Sequence, residues 1–149
     1  MSIAQSLSSL LVHLTFSTKD RFPFLAENEL MLRTHGYLGG ILREADCPSL
    51  VIGGTADHVH VFLRLSRTQH VAKLVELLKS RSSRWVKAQG VEKFLWQRGY
   101  GCFSVGQSQK QELVHYIAAS RPEGPARTKP GLERSEGPGQ QKFINVSES

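Results

Sequence analysis

Two histidines stand one residue apart in an otherwise apolar run of this 149-residue chain, "GGTADHVHVFLRL", Gly53 to Leu65. In an extended strand side chains alternate between faces. His58, His60, Phe62 and Arg64 therefore share one face, and Val59, Val61, Leu63 and Leu65 share the other. Alternate Cα atoms of a strand lie about 6.6 Å apart, a gap two imidazoles can close onto one divalent ion. Zinc would want a further Cys or His nearby, and the neighbouring sequence offers none. With oxygen ligands completing the shell, Mg²⁺ or Mn²⁺ fits better. On the residues alone the plainer alternative stays open: a polar pair on a solvent-facing strand.

The elements that must position this pair follow from pattern. Leu10 to Ser17 is apolar and β-prone. Glu27 to Ala45 has helical spacing of Leu30, Thr34, Tyr37, Leu38, Ile41 and Ala45, interrupted by Gly39-Gly40. Ser49 to Gly54 and His58 to Leu65 read as two strands joined by a short hairpin link. A second helix is predicted from Ser66 or Thr68, with Val71, Leu74, Val75, Leu78 and Trp85 as its apolar stripe. Tyr100 to Val105 reads as a fourth strand. Ser108 and Gln111 then form a Ser-x-x-Gln capping box for a last helix that Arg121-Pro122 stops. The order β-α-β-β-α-β-α predicts an α+β fold, a ferredoxin-like or RRM-like sandwich. Its antiparallel sheet carries helices on one face and has an additional C-terminal helix. The valine face of His58 to Leu65 is the one a helical layer would cover, so the histidines look away from the main core.

Length and composition suit one domain over residues 1–120. Eight of the 18 residues from Pro122 to Gly139 are Gly or Pro, so residues 121–149 read as a disordered tail. No apolar run is long enough to span a membrane. The isolated Cys47 and Cys102 suit a reducing cytoplasm. Residues 64–93 hold eight basic and two acidic side chains, an excess equal to the net charge of +6 of the whole chain. Such a segment is either a solvated helix face or a track for nucleic-acid phosphates.

Five segments, "HLTFSTKDRFPFL", "GGTADHVHVFL", "LKSRSSRWV", "FLWQRGYGCFSV" and "VHYIAAS", resemble in order and spacing the single-tyrosine HUH transposases of small bacterial insertion sequences, the IS200-like family. The resemblance covers roughly residues 10 to 120. It implies an RRM-like fold with Tyr116, on the C-terminal helix, as nucleophile. It further implies that His58 and His60 hold Mg²⁺ or Mn²⁺, and that a homodimer cuts and rejoins single-stranded DNA at hairpins through a 5′-phosphotyrosine. No membrane and no small-molecule substrate enter. On pattern alone Tyr116 equally suits an amphipathic helix residue half-buried against the sheet. The basic helix would then serve DNA binding, with Lys79, Arg81, Arg84 and Lys87 holding hairpin phosphates.

The chain departs from the family pattern at two places. Where the family has a glutamine as third protein ligand, four residues after the tyrosine, this chain has Ser120, whose hydroxyl is a weaker and shorter ligand. The family's further C-terminal helix is replaced by the Pro/Gly tail. Both point to a degenerate or recombined copy. The alternatives are a non-catalytic binder of structured single-stranded nucleic acid and a domesticated, repeat-associated tyrosine transposase.

Overall fold

The structure, a computed structural model, describes residues 9–122 and 144–146. Strand β1 (Ser9–Ser17) alternates strictly, with Val12, Leu14 and Phe16 on one side and Leu11, His13 and Thr15 on the other. Helix α1 (Asn28–Glu44) follows, then the hairpin β2 (Ser49–Thr55) and β3 (His58–Ser66), helix α2 (Val71–Ala88), strand β4 (Tyr100–Ser104) and helix α3 (Lys110–Ala118). The sheet order is β2-β3-β1-β4, all antiparallel, as the predicted sandwich requires. A short strand β5 (Ile144–Val146) pairs antiparallel with β4 at the sheet's edge. The tail expected to be disordered, 121–149, otherwise lies outside the described residues from 123 to 143 and from 147 to 149.

The sheet divides the molecule into two layers. On one face Val12, Leu14, Phe16, Val59, Val61 and Leu63 pack against Leu38, Ile41 and Leu42 of α1 and Leu74, Val75 and Leu78 of α2. Each such buried aliphatic side chain contributes about 1.5–3 kcal/mol by leaving water. On the other face a smaller cluster joins Leu11, Val51 and Phe62 to Leu113 and Ile117 of α3. The additional helix thus covers the face that the first two leave bare. Among the described residues no helix is long and apolar enough to cross a membrane.

Two helix starts differ from expectation. Helix α2 begins at Val71 with His70 as its N-cap, five residues after Ser66. Ser66 and Thr68 instead bond each other, with their hydroxyl oxygens 2.9 Å apart, and Thr68 N–H donates to Ser66 Oγ, closing a turn after β3. The capping interaction before α3 runs from Gly106 N–H to Gln109 Oε1 at 3.1 Å, one-sided because glycine has no side chain to return it, and lies two residues upstream of the predicted Ser108 and Gln111.

Candidate functional site

His58 and His60 project from β3 toward α3, as the alternation demands, with ring centroids 4.9 Å apart and planes nearly perpendicular. Tyr116, on α3, brings its ring centroid to 6.0 Å from that of His60 within the same chain. A close backbone approach makes this possible. Gly53 pairs with His60 across the β2–β3 hairpin. A Cβ at Gly53 would collide with the carbonyl oxygen of Ile117 and come within 2.6 Å of Ser120 Oγ. Only glycine lets the end of α3 rest on the strand here. The next residue, Gly54, has φ 143°, and a side chain there would strike the carbonyl of His58.

Each imidazole is oriented through its Nδ1. His58 Nδ1 lies 2.9 Å from Asp57 Oδ1 and 3.0 Å from Thr55 Oγ1. Thr55 also donates to that carboxylate at 3.1 Å, and Arg21 Nε meets its other oxygen at 3.3 Å. A proton on His58 Nδ1 satisfies the carboxylate and leaves Nε2 as a lone pair, the arrangement by which a second layer of groups prepares a metal-binding histidine. Burial by itself would raise the Asp57 carboxyl, but hydrogen bonds from His58 and Arg21, the Arg21 charge and the Thr55 hydroxyl hold it below its usual range. His60 Nδ1 lies 3.0 Å from His13 Nε2, so one proton sits between these nitrogens. When His60 carries it, His60 Nε2 is likewise an open lone pair.

His13 is buried, stacked on Phe103 at 5.2 Å, and burial lowers its pKa to about 4. His60 is held well below the usual histidine range by burial first, then by His13 and His58. Both rings are therefore neutral near neutral pH, the state in which imidazole binds a cation. Sequence reasoning missed His13, Asp57 and Arg21. Asp57 had a legible signal, a carboxylate directly before the first histidine. His13 had a fainter one, an imidazole in the apolar strand "SLLVHLTFS".

The fit to a divalent ion is partial. Two imidazoles with open Nε2 atoms are the right donors, yet no group of three His, Cys, Asp or Glu side chains among the described residues is placed to hold a metal. Ser120 does lie over Gly53, beside the pair, but its hydroxyl donates to the carbonyl of Ile117 at 2.6 Å. Its proton is committed to the helix end, and only its lone pairs remain.

The expected phosphate contacts on α2 need correction. Lys79 is buried, and its Nζ donates to the carbonyls of Gln97 and Gly99, each at 2.7 Å, and lies over the Phe16 ring. It anchors the segment before β4 and is withdrawn from any phosphate. Arg81 Nη1 meets Glu44 at 3.3 Å, while Arg84 and Lys87 are exposed. Moreover, α2 packs on the valine face of β3, so these cations lie on the opposite side of the sheet from His58, His60 and Tyr116.

The model of the family described as "Transposase IS200 like" matches residues 6–120, spanning every element from β1 to α3. The chain belongs to the IS200-like transposase family. That family is one of DNA-cleaving enzymes. Two solved structures share the fold of this IS200-like transposase. One is a protein assigned as a transposase of Deinococcus radiodurans R1, at 20% identity and TM-score 0.59, covering 76% of this chain and 92% of that one. The other is a REP-associated tyrosine transposase solved with a REP hairpin, at 13% identity and TM-score 0.58, covering 75% of this chain and 66% of that one. No curated protein matches the chain.

Proposed function

We propose that this transposase cuts and rejoins single-stranded DNA through Tyr116, at sites set by DNA hairpins. The observation that carries the reading is the placement of the Tyr116 ring 6.0 Å from His60, on the sheet face where both imidazoles lie. Tyr116 Oη attacks a phosphorus, the new O–P bond forms a 5′-phosphotyrosine, and the P–O3′ bond breaks. The phenol proton passes to solvent and the departing 3′ oxygen takes one up. The exchange conserves one phosphodiester, so rejoining needs no nucleotide cofactor. His58 and His60 would hold Mg²⁺ or Mn²⁺, which when bound polarises the scissile phosphate. Asp57, Thr55 and His13 keep the two rings in the tautomers that serve this.

The hairpin partner is supported by the REP hairpin on the second similar structure, and the basic surface of Arg84 and Lys87 supplies phosphate contacts from the sheet's far side. A homodimer, each copy offering the same face, is part of this reading. With Ser120 bonded into its own helix end, ion affinity is weak and rejoining slow, a degenerate form of the activity. The test is incubation of the full chain with hairpin-bearing single-stranded DNA and Mn²⁺, followed by denaturing electrophoresis. A covalent protein–DNA adduct present in the native chain and lost in Tyr116→Phe is expected. An adduct that persists in Tyr116→Phe, or binding without any adduct, overturns the reading in favour of a non-catalytic binder.

A further inference from the structure

Between β1 and α1 the chain exposes a phenylalanine at a place where the backbone is strained. Asp20 and Arg21, neither of them glycine, have φ of 54° and 56°. Conformations of this kind persist only where the surroundings impose them, and they gather at working parts of proteins. Here the surroundings are explicit. Lys19 N–H donates to Leu95 O, Asp20 N–H to Gln97 Oε1 and Phe22 N–H to Lys19 O, while Thr18 Oγ1 donates to Phe22 O at 2.7 Å. The result is to hold Phe22 outward, 51% exposed.

A single exposed phenylalanine is ordinary. Phe22 differs in what stands behind it. Its ring stacks on Phe24 at 4.6 Å with planes 25° apart. Phe24 meets Phe94 at 5.3 Å, Phe94 meets Trp96 at 4.9 Å, and Trp96 meets Phe16 at 4.8 Å. Phe94 is fully buried and Phe16 nearly so. A continuous aromatic ladder therefore runs from the core to the surface and ends on a ring that, among the described residues, stacks on Phe24. Such a ring is pre-ordered, since its rotamer is already fixed by the ring beneath it. The turn before it carries exposed Lys19 and Arg21, with exposed Asp20 between them and Arg21 also bridged to Asp57.

The same segment is tied to the candidate site. Arg21, the neighbour of Phe22, bridges to Asp57, and Asp57 orients His58. Thr18 N–H and Leu25 N–H donate to the carbonyls of Asp57 and Ala56 in the β2–β3 turn, fastening both ends of the segment to the loop that leads into the histidines.

Resting on the DNA-cleaving reading above, we infer that Phe22 is a stacking platform for one unpaired base of the single strand leading to the His58–His60 face, with Lys19 and Arg21 steadying the adjoining phosphates. An aromatic face takes any base, so the platform orders the strand without reading its sequence. Chemistry selects the class of partner, since an exposed aromatic face with Lys19 and Arg21 in the turn before it fits a polyanion with stackable faces.

The test uses the full chain and single-stranded oligonucleotides carrying 2-aminopurine at successive positions, read by fluorescence anisotropy and by quenching of the 2-aminopurine emission. Native protein should quench at one position. Phe22→Ala should abolish that quenching and weaken binding by about 5- to 160-fold, Phe22→Trp should restore both, and Leu10→Ala, also exposed and remote from the ladder, should change neither. Native binding with Phe22→Ala unchanged, or a loss that tryptophan does not rescue, overturns the platform and leaves the cleavage reading standing. A native chain that binds no single strand overturns both together.

Discussion

The two faces of one sheet have been given different work, and strand β3 shows the division most directly. Its Val59, Val61 and Leu63 are fully buried in the layer formed by α1 and α2. Its His58 and His60 lie under a single short helix, in a layer whose apolar cluster is much smaller. The thick layer holds the fold, so the thin one is free to keep polar groups that a core would not tolerate. Those polar groups are satisfied pairwise, His58 by Asp57 and Thr55 and His60 by His13, which holds both rings oriented beside Tyr116.

The largest departure from this division is His35 on α1, which among the described residues lacks the pairing that joins His13 to His60. Among the described residues, both of its buried ring nitrogens lack a hydrogen-bond partner. Burial, and after it the nearby Arg121 charge, lowers its pKa to about 4. An unfolded histidine takes up its proton near 6.5, before the folded one does. Above that pH the neutral His35 ring adds no pH-dependent cost, and stability falls as pH drops from 6.5 toward 4. The loss is about 3 kcal/mol once pH is below the folded value. Urea denaturation across this range should show His35→Leu with a shallower pH dependence than the native chain. An unchanged slope would mean that His35 finds a proton acceptor when it charges.

The thin face offers a sharper, smaller effect. Gly53→Ala places a methyl against the Ile117 carbonyl and Ser120, and overpacking of this kind costs about 1–3 kcal/mol. Because the displaced element is the end of α3, the adduct yield should fall further than the loss of folded protein explains. Measuring both in the same preparation separates the two. If adduct and folded fraction decline in step, Gly53 serves packing alone.

Much of this was legible in the sequence. Period-two alternation in "HVHVFLRLS" told which residues of β3 face the core, and the order of elements led to the sandwich. Tyr116 was legible only through family resemblance, since its helical spacing also suits a residue half-buried against the sheet. What stayed hidden depends on partners distant in the chain. Lys79 looks like one more cation of a basic helix until the carbonyls of Gln97 and Gly99 fold back onto it. His13 meets His60 only in the β1–β3 register, and no local pattern specifies that register. Helix α2 starts at Val71 because Ser66 and Thr68 satisfy each other instead of capping it.

The proposed chemistry requires the imidazoles of His58 and His60 to present open nitrogens to one cation beside Tyr116. Titration of Mn²⁺ into the full chain, followed by nuclear magnetic resonance of the histidine and tyrosine rings, tests this most directly. Resonances of His58, His60 and Tyr116 should broaden first and together, while His35, buried on helix α1, and Tyr37, on the α1–α2 side, stay sharp. Broadening that begins at surface carboxylates and spares His58 and His60 would contradict it.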